Sequence, residues 1–194
     1  MRVFVAINPS TEERVRLNEA SRSLREAGFP VRWVPPENVH LTLKFLGEVP
    51  EGGRAELVAA VDRAVAGVAA FRLRVQGVGA FPTLRRPNVV WVGIESSAPL
   101  KGLQSRLEDE LWALGFPKET RAFHPHFTVG RSRRGVSAKE FDGLDSLARQ
   151  IEYEDVFLVA AVEVMRSRLL PGGAVYDVIH RADLEAGGER LGHA

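Results

Sequence analysis

The sequence predicts an α+β fold: two pseudo-symmetric lobes of antiparallel sheet, helices outside them, and a central groove between. Three observations predict it. Short strand-like runs mix with helical ones, without the regular β/α alternation of a parallel sheet. One order of elements (strand, helix, Gly-Phe-Pro, histidine-bearing strand, helix, alternating strand) occurs twice. Finally, 194 residues suit one domain with a substantial core, and two copies are too few for a solenoid.

The elements follow in chain order. "VFVAINPS", Val3 to Ser10, is a buried strand ending in a turn. Ser10 and Glu13 form a capping-box pattern, and Leu17, Ala20, Leu24 and Ala27 continue at helical spacing to Gly28. "GFP" at Gly28 to Pro30 precedes a short strand over Val31–Val34, a Pro-Pro turn, and "VHLTLKFLG" from Val39 to Gly47. A helix over Arg54–Ala69 leads into the alternating strand "FRLRVQGVGAF". "VVWVGIESS", Val89 to Ser97, then restarts the order, with a helix on Leu100, Leu103, Leu107 and Leu111 and a second "GFP" at Gly115 to Pro117. "FHPHFTVGR", Phe123 to Arg131, is the second histidine strand. A helix over Ser137–Arg149, one strand "VFLVAAVEVMRS" and a last strand over Ala174–His180 complete the copy. Ile7 and Ile94, Ser10 and Ser97, and the two GFP triplets are each 87 positions apart; His40 and His126 are 86 apart. Residues 1–184 are thus expected to form a single bilobal domain with an internal duplication, followed by a frayed tail over 185–194, rich in glycine and charge.

Composition narrows the chemistry. Apolar residues make up 45% and charged residues 26%, as in an ordinary soluble globule. The net charge of +1 does not announce nonspecific nucleic-acid binding. Only Lys44, Lys101, Lys118 and Lys139 are lysines among 26 basic residues; arginine suits bidentate phosphate contacts, but a GC-rich genome gives the same bias. With no cysteine, disulfides, thiolate metal sites and cysteine nucleophiles are excluded. The amino terminus reads as neither signal nor transit peptide, and no apolar run has membrane-spanning length, so a cytoplasmic protein without membrane contact is expected.

Alternate side chains of a strand share a face. His40, Thr42 and Lys44 are therefore expected on one face, with Leu41, Leu43 and Phe45 on the other; His126 and Thr128 should oppose Phe127 and Val129. One His-apolar-Thr-apolar stretch is weak, being the pattern of any half-buried strand. Two at matching places in a duplicated framework point to function. Pseudo-twofold symmetry would bring the histidine faces together across the groove. Imidazoles titrate near pH ~6.5 and so can serve as complementary acid and base. Threonine hydroxyls two residues along can hydrogen-bond charged oxygens held between them. A phosphodiester needs both a water activated and an alkoxide protonated, so the pattern points to metal-free phosphoryl transfer.

His124-x-His126 also resembles the strand ligands of metal-dependent TIM-barrel hydrolases. That fold takes about 250 residues and regular β/α alternation, and no carboxylate stands beside either motif here. His124 precedes Pro125, which suits orienting the loop as well as chemistry. Arg131 has odd parity to His126 but lies beyond Gly130, where a strand can end or bulge, so its direction is open. Lys44 can reach phosphate or solvate its face; Arg133 and Arg134 continue a basic loop; Trp33, Phe81 and Tyr176 can stack on a base or simply pack.

"RWVPPENVHLTLKFLGEVP" together with "FHPHFTVGR" closely resembles the bacterial and archaeal RNA 2′,3′-cyclic phosphodiesterases, historically called 2′-5′ RNA ligases, of the 2H phosphoesterase superfamily. The resemblance runs from "RVFVAI" to the final strand. It implies a bilobal α+β fold with the motifs facing each other, no metal or other cofactor, and cleavage of the bond to O3′ to leave a 2′-phosphomonoester. It implies His40 as the acid that protonates O3′, His126 as the base that activates water, Thr42 and Thr128 as phosphate binders, and Arg131 as a substrate contact. Its partner would be RNA or an oligonucleotide ending in a 2′,3′-cyclic phosphate, acted on by a monomer, with a weak reversible 2′-5′ ligase activity besides. The competing expectation is a non-catalytic binder of RNA terminal phosphates, which has little need for two titratable imidazoles.

Overall fold

The computed structural model describes residues 1–171 and 173–187. In chain order the elements are β1 (Arg2–Ile7), α1 (Thr11–Ala20), α2 (Arg22–Glu26), β2 (Val31–Trp33), β3 (Leu41–Glu48), α3 (Arg54–Val65), β4 (Phe71–Thr83), β5 (Arg86–Ile94), α4 (Ala98–Trp112), β6 (His126–Ser132), α5 (Leu144–Arg149), β7 (Glu154–Val159), β8 (Ala161–Leu170) and β9 (Gly173–Asp183). Ser10 caps α1 through a capping box, its hydroxyl accepting from Glu13 N at 3.2 Å while its own N–H donates to Glu13 at 2.7 Å. Its counterpart Ser97, 87 residues on, caps α4 by accepting from Leu100 N. The duplicated helix starts are therefore built by the same chemistry.

The helix expected over Arg54–Ala69 stops at Val65, and three further elements are each divided in two where the sequence expectation had one piece. The helix expected from Ser10 to Gly28 is two helices, interrupted at the buried Ser21. The helix expected over Ser137–Arg149 is a 3-10 turn, Ala138–Phe141, followed by α5, with Gly143 between them at φ 91°, a left-handed conformation that glycine adopts without strain. The single strand expected over "VFLVAAVEVMRS" is β7 and β8, parted at Ala160. Both pieces bury apolar side chains, so hydrophobic periodicity carries no mark of the break.

That break matters because the chain changes sheets there. One sheet has four strands, in the order β3-β1-β8-β9; the other has five, β2-β6-β5-β4-β7. All neighbouring strands are antiparallel. β2 and β4, from the first half of the chain, pair with β6, β5 and β7 of the second half. β8, from the second half, pairs with β1. Each lobe is consequently assembled from both halves.

α3 and α4 pack on one another through buried faces: Leu57, Ala60, Val61, Ala64 and Val65 on α3, Leu100, Leu103, Leu107 and Leu111 on α4. Each such leucine contributes about 1.5–3 kcal/mol on removal from water. The main core cluster joins these helices to the inner faces of both sheets. Glu185, where a frayed tail was expected to begin, is held: its N–H donates to Val68 O and its carbonyl accepts from Ala70 N, both at 2.8 Å. The remainder of that tail, 188–194, lies outside the described residues.

Candidate active site

His40 immediately precedes β3, and His126 opens β6. Each strand carries a β-bulge at the third residue past its histidine. In β3, Lys44 stands opposite Val5 and Thr42 opposite Ala6, leaving Leu43 as the extra residue. In β6, Gly130 stands opposite Val90 and Thr128 opposite Trp91, leaving Val129 extra. An extra residue inverts the alternation beyond it.

The inversion corrects two expectations. Lys44 does not share the face of His40 and Thr42; it is 6% exposed and turned inward, its Nζ donating to Glu108 at 2.6 Å and to Pro117 O at 2.5 Å. Phe45 takes the groove face instead, 70% exposed and beside Phe4 at 6.0 Å between ring centroids. At the pseudo-equivalent place in β6 the bulge resolves the direction of Arg131: it now shares the face of His126 and Thr128.

The two imidazoles sit in matching surroundings. His40 Nδ1 lies 2.8 Å from Asn38 O, and His126 Nδ1 lies 2.7 Å from His124 O. A carbonyl only accepts, so Nδ1 carries the hydrogen in both rings and Nε2 is left for a reactant. Tyr176 stands edge-on to His40 at 5.1 Å and 88°, and Phe81 stands edge-on to His126 at 5.0 Å and 80°. Phe4 and Trp91, 87 positions apart, are each ring's second aromatic neighbour, at 4.7 and 6.4 Å. Trp91 lies over two glycines of its own sheet: a Cβ at Gly79 would come within 2.2 Å of its ring.

Burial pushes His40 down to about 4, with the charges of Arg14, Arg131 and His126 acting the same way and the Asn38 carbonyl opposing. His126 is lowered too, first by burial, then by the charges of Arg131 and His124. That Arg131 acts on both rings, and His126 on His40, brings these three groups into one electrostatic neighbourhood. Two cavities flank it. One of about 610 Å³ opens at His40, with Asn8, Arg14, Glu37, Glu163 and Tyr176 in its walls. The other, about 670 Å³, is lined by Thr42, Phe45, Phe81, Phe123 and His126.

Other residues singled out in the sequence fall elsewhere. Trp33 lies against Gly130 and under the Arg25 guanidinium, on the core side of its sheet. Arg133 and Arg134 are exposed beyond β6. His124 serves its neighbour, through the carbonyl that holds His126. Arg14, Glu37 and Phe45 were not recognised as groove residues from the sequence. No motif marks Arg14 or Glu37, and only the bulge brings Phe45 into the groove; Phe4 and Trp91 could have been found from their 87-residue spacing.

The LigT like phosphoesterase family matches the chain twice in tandem, over residues 7–91 and 92–176, dividing it as the internal repeat does. An RNA 2′,3′-cyclic phosphodiesterase of Thermotoga maritima is 34% identical over 188 residues, 96% of this chain and 97% of the relative. Among solved structures, TT0787 of Thermus thermophilus superposes with a TM-score of 0.76 at 29% identity, covering 96% of this chain and all of the other. E. coli LigT complexed with 3′-AMP superposes with a TM-score of 0.72 at 26% identity, covering 94% and 97%. With both halves matched and likeness running the length of the chain, this protein belongs to the LigT like phosphoesterase family and is an enzyme of the 2H phosphoesterase group.

Proposed function

We propose that the protein hydrolyses the 2′,3′-cyclic phosphate at RNA ends to a 2′-phosphomonoester, using its two histidines as base and acid and needing no metal. The curated relatives named RNA 2′,3′-cyclic phosphodiesterase support the substrate class, and the 3′-AMP complex of E. coli LigT supports nucleotide binding. The observation that carries the mechanism is the repeated histidine setting: each Nδ1–H tied to a backbone carbonyl two residues back, each Nε2 without a hydrogen-bond partner among the described residues. His126 Nε2 takes a proton from water as the oxygen attacks phosphorus. The P–O3′ bond breaks, and His40 Nε2–H gives its proton to O3′. Thr42 and Thr128 donate to the non-bridging oxygens, and Arg131 offsets their charge.

A pKa near 4 leaves His40 neutral in the free protein at pH 7. A bound phosphodiester anion beside it favours the charged imidazolium, so the acid gains its proton along with the substrate. The enzyme so described acts as a cytoplasmic monomer; among the described residues no helix is long and apolar enough to cross a membrane. With a 5′-hydroxyl in place of water, the same forward steps bond it to phosphorus as O3′ leaves, giving a 2′-5′ link; attack by O3′ reverses them, so the ligase activity is weak and reversible. The test is incubation of RNA ending in a 2′,3′-cyclic phosphate, with a chelator present, followed by product analysis. Turnover to the 2′-phosphate is expected. Binding without turnover would replace the enzyme with a binder of terminal phosphates, and loss of turnover with chelator would make it a metallophosphoesterase.

A further inference from the structure

Displacement at phosphorus is in line, so the attacking water and the departing O3′ stand on opposite sides of the phosphate. If His126 activates the water and His40 protonates O3′, as proposed above, the ribose that carries O3′ lies on the His40 side. The cavity on that side is the one walled by Arg14, Glu37, Asn8 and Glu163. We infer that this cavity receives the terminal nucleoside and that Arg14 and Glu37 read its base, with guanine preferred.

The chemistry of the walls selects the ligand. Glu163 is already engaged, by Asn8 Nδ2 and by Arg181 Nη1 at 3.0 Å. Glu13 is engaged by the Ser10 and Leu158 backbone N–H groups. Arg14 makes one side-chain hydrogen bond among the described residues, Nη2 to Asn8 Oδ1 at 3.1 Å, and its Nε is sealed with no partner. Glu37 makes no hydrogen bond or ion pair among the described residues, is exposed, and is close enough for its charge to act on Arg14 without bridging to it. The cavity thus offers a donor fork and an acceptor fork that do not satisfy each other. It carries carboxylates as well as arginines, which suits a neutral base better than a second phosphate.

Guanine presents adjacent acceptors, O6 and N7, to an arginine, and adjacent donors, N1–H and N2–H₂, to a carboxylate. Adenine and cytosine each have one exocyclic donor group beside ring acceptors, and uracil has a single N–H, so none fills both forks. Val178 and Leu158, half-exposed apolar side chains at the cavity, and the Tyr176 ring supply surface for the base plane.

The experiment compares kcat/KM for guanosine, adenosine, cytidine and uridine 2′,3′-cyclic phosphates in the wild type, Arg14→Met, Arg14→Lys and Glu37→Gln. Guanosine is expected to lead by about fivefold to a hundredfold, the range one bidentate base contact gives. Arg14→Met and Glu37→Gln should each bring that ratio towards one, and Arg14→Lys, charged but without the fork, should restore little. Glu37 is on an exposed turn, so Glu37→Gln reads the cavity even if Arg14→Met unfolds. Equal turnover of all four bases would overturn the inference, as would a preference that both substitutions leave intact or that Phe45→Ala abolishes instead. No turnover of any cyclic nucleotide would sink the proposed activity instead. Calorimetric binding of guanosine against adenosine 2′-monophosphate then decides the cavity by itself: tighter guanosine binding weakened by Glu37→Gln upholds it, and equal binding overturns it.

Discussion

A histidine alone titrates near pH ~6.5; the two in this groove do not, and the difference sets the first expectation. Both are lowered by burial, His40 to about 4. The kcat/KM profile reports groups in the free enzyme. Activity requires one ring neutral and the other protonated, so it rises as the first loses its proton and falls as the second does. Both events lie on the acid side of the ordinary histidine value, and kcat/KM should therefore peak below pH ~6.5. The kcat profile should sit at higher pH, because bound phosphate raises His40. A kcat/KM maximum above neutrality would contradict this electrostatic account. Substitution separates the roles. His40→Ala and His126→Ala should each cost about 10²–10⁴ in rate, and Thr42→Ala or Thr128→Ala about 1.5–3 kcal/mol of transition-state binding. On a nitrophenyl phosphodiester, whose leaving group departs as its anion, His40→Ala should recover while His126→Ala stays impaired. The reverse pattern would exchange acid and base.

Among the elements, the paired bulges decide what the strands present, and they mark how far the sequence could be read. Alternation placed His40 with Thr42 and His126 with Thr128, because these pairs lie before the extra residue. It failed at Lys44 and Phe45, which lie after it, and left Arg131 open for the same reason. The bulge in β3 has no local signature, Leu43 being an ordinary buried strand residue; in β6 only Gly130, next to Val129, hints at one. Turned inward, Lys44 binds Glu108 of α4 and the Pro117 carbonyl, and Glu108 also accepts from Glu119 N at 3.2 Å. The pair thus ties β3 to the segment that leads into β6. Lys44→Met leaves the 8%-exposed Glu108 without its cation. Breaking one side of a buried pair costs about 3–5 kcal/mol, whereas replacing both sides by apolar groups is often neutral. Urea unfolding of Lys44→Met should show that loss, and Lys44→Met combined with Glu108→Leu should regain most of it. Equal midpoints for the single and double variants would mean that the pair's charge balance is not what matters here.

In the whole molecule, the repeat visible in the sequence and the lobes visible in the structure divide the chain differently. Periodicity and the 87-residue spacing reveal two copies of an order of elements, but pairing partners leave no mark in a strand's own residues. So the exchange of β2, β4 and β8 between sheets was not legible, nor was the crossing at Ala160 that permits it. The exchange has an energetic consequence. In an isolated first half, β2 loses β6, its neighbour in the sheet, and β4 loses both β5 and β7. β1 keeps β3 but loses β8. α3 loses the leucine face of α4 that covers it. Unpaired backbone and uncovered apolar surface each oppose folding, and small domains have only about 5–15 kcal/mol of stability to lose. A chain divided at the β4–β5 turn, between Leu84 and Arg85, should therefore give two fragments that are each unfolded alone. Mixed, they should fold together and recover cyclic phosphodiesterase activity. The intact protein should unfold in urea in one transition, with tryptophan fluorescence and far-ultraviolet circular dichroism coincident. A dispersed amide spectrum from the 1–84 fragment alone would show that the first half is an independent lobe after all, with the exchanged strands merely added to it.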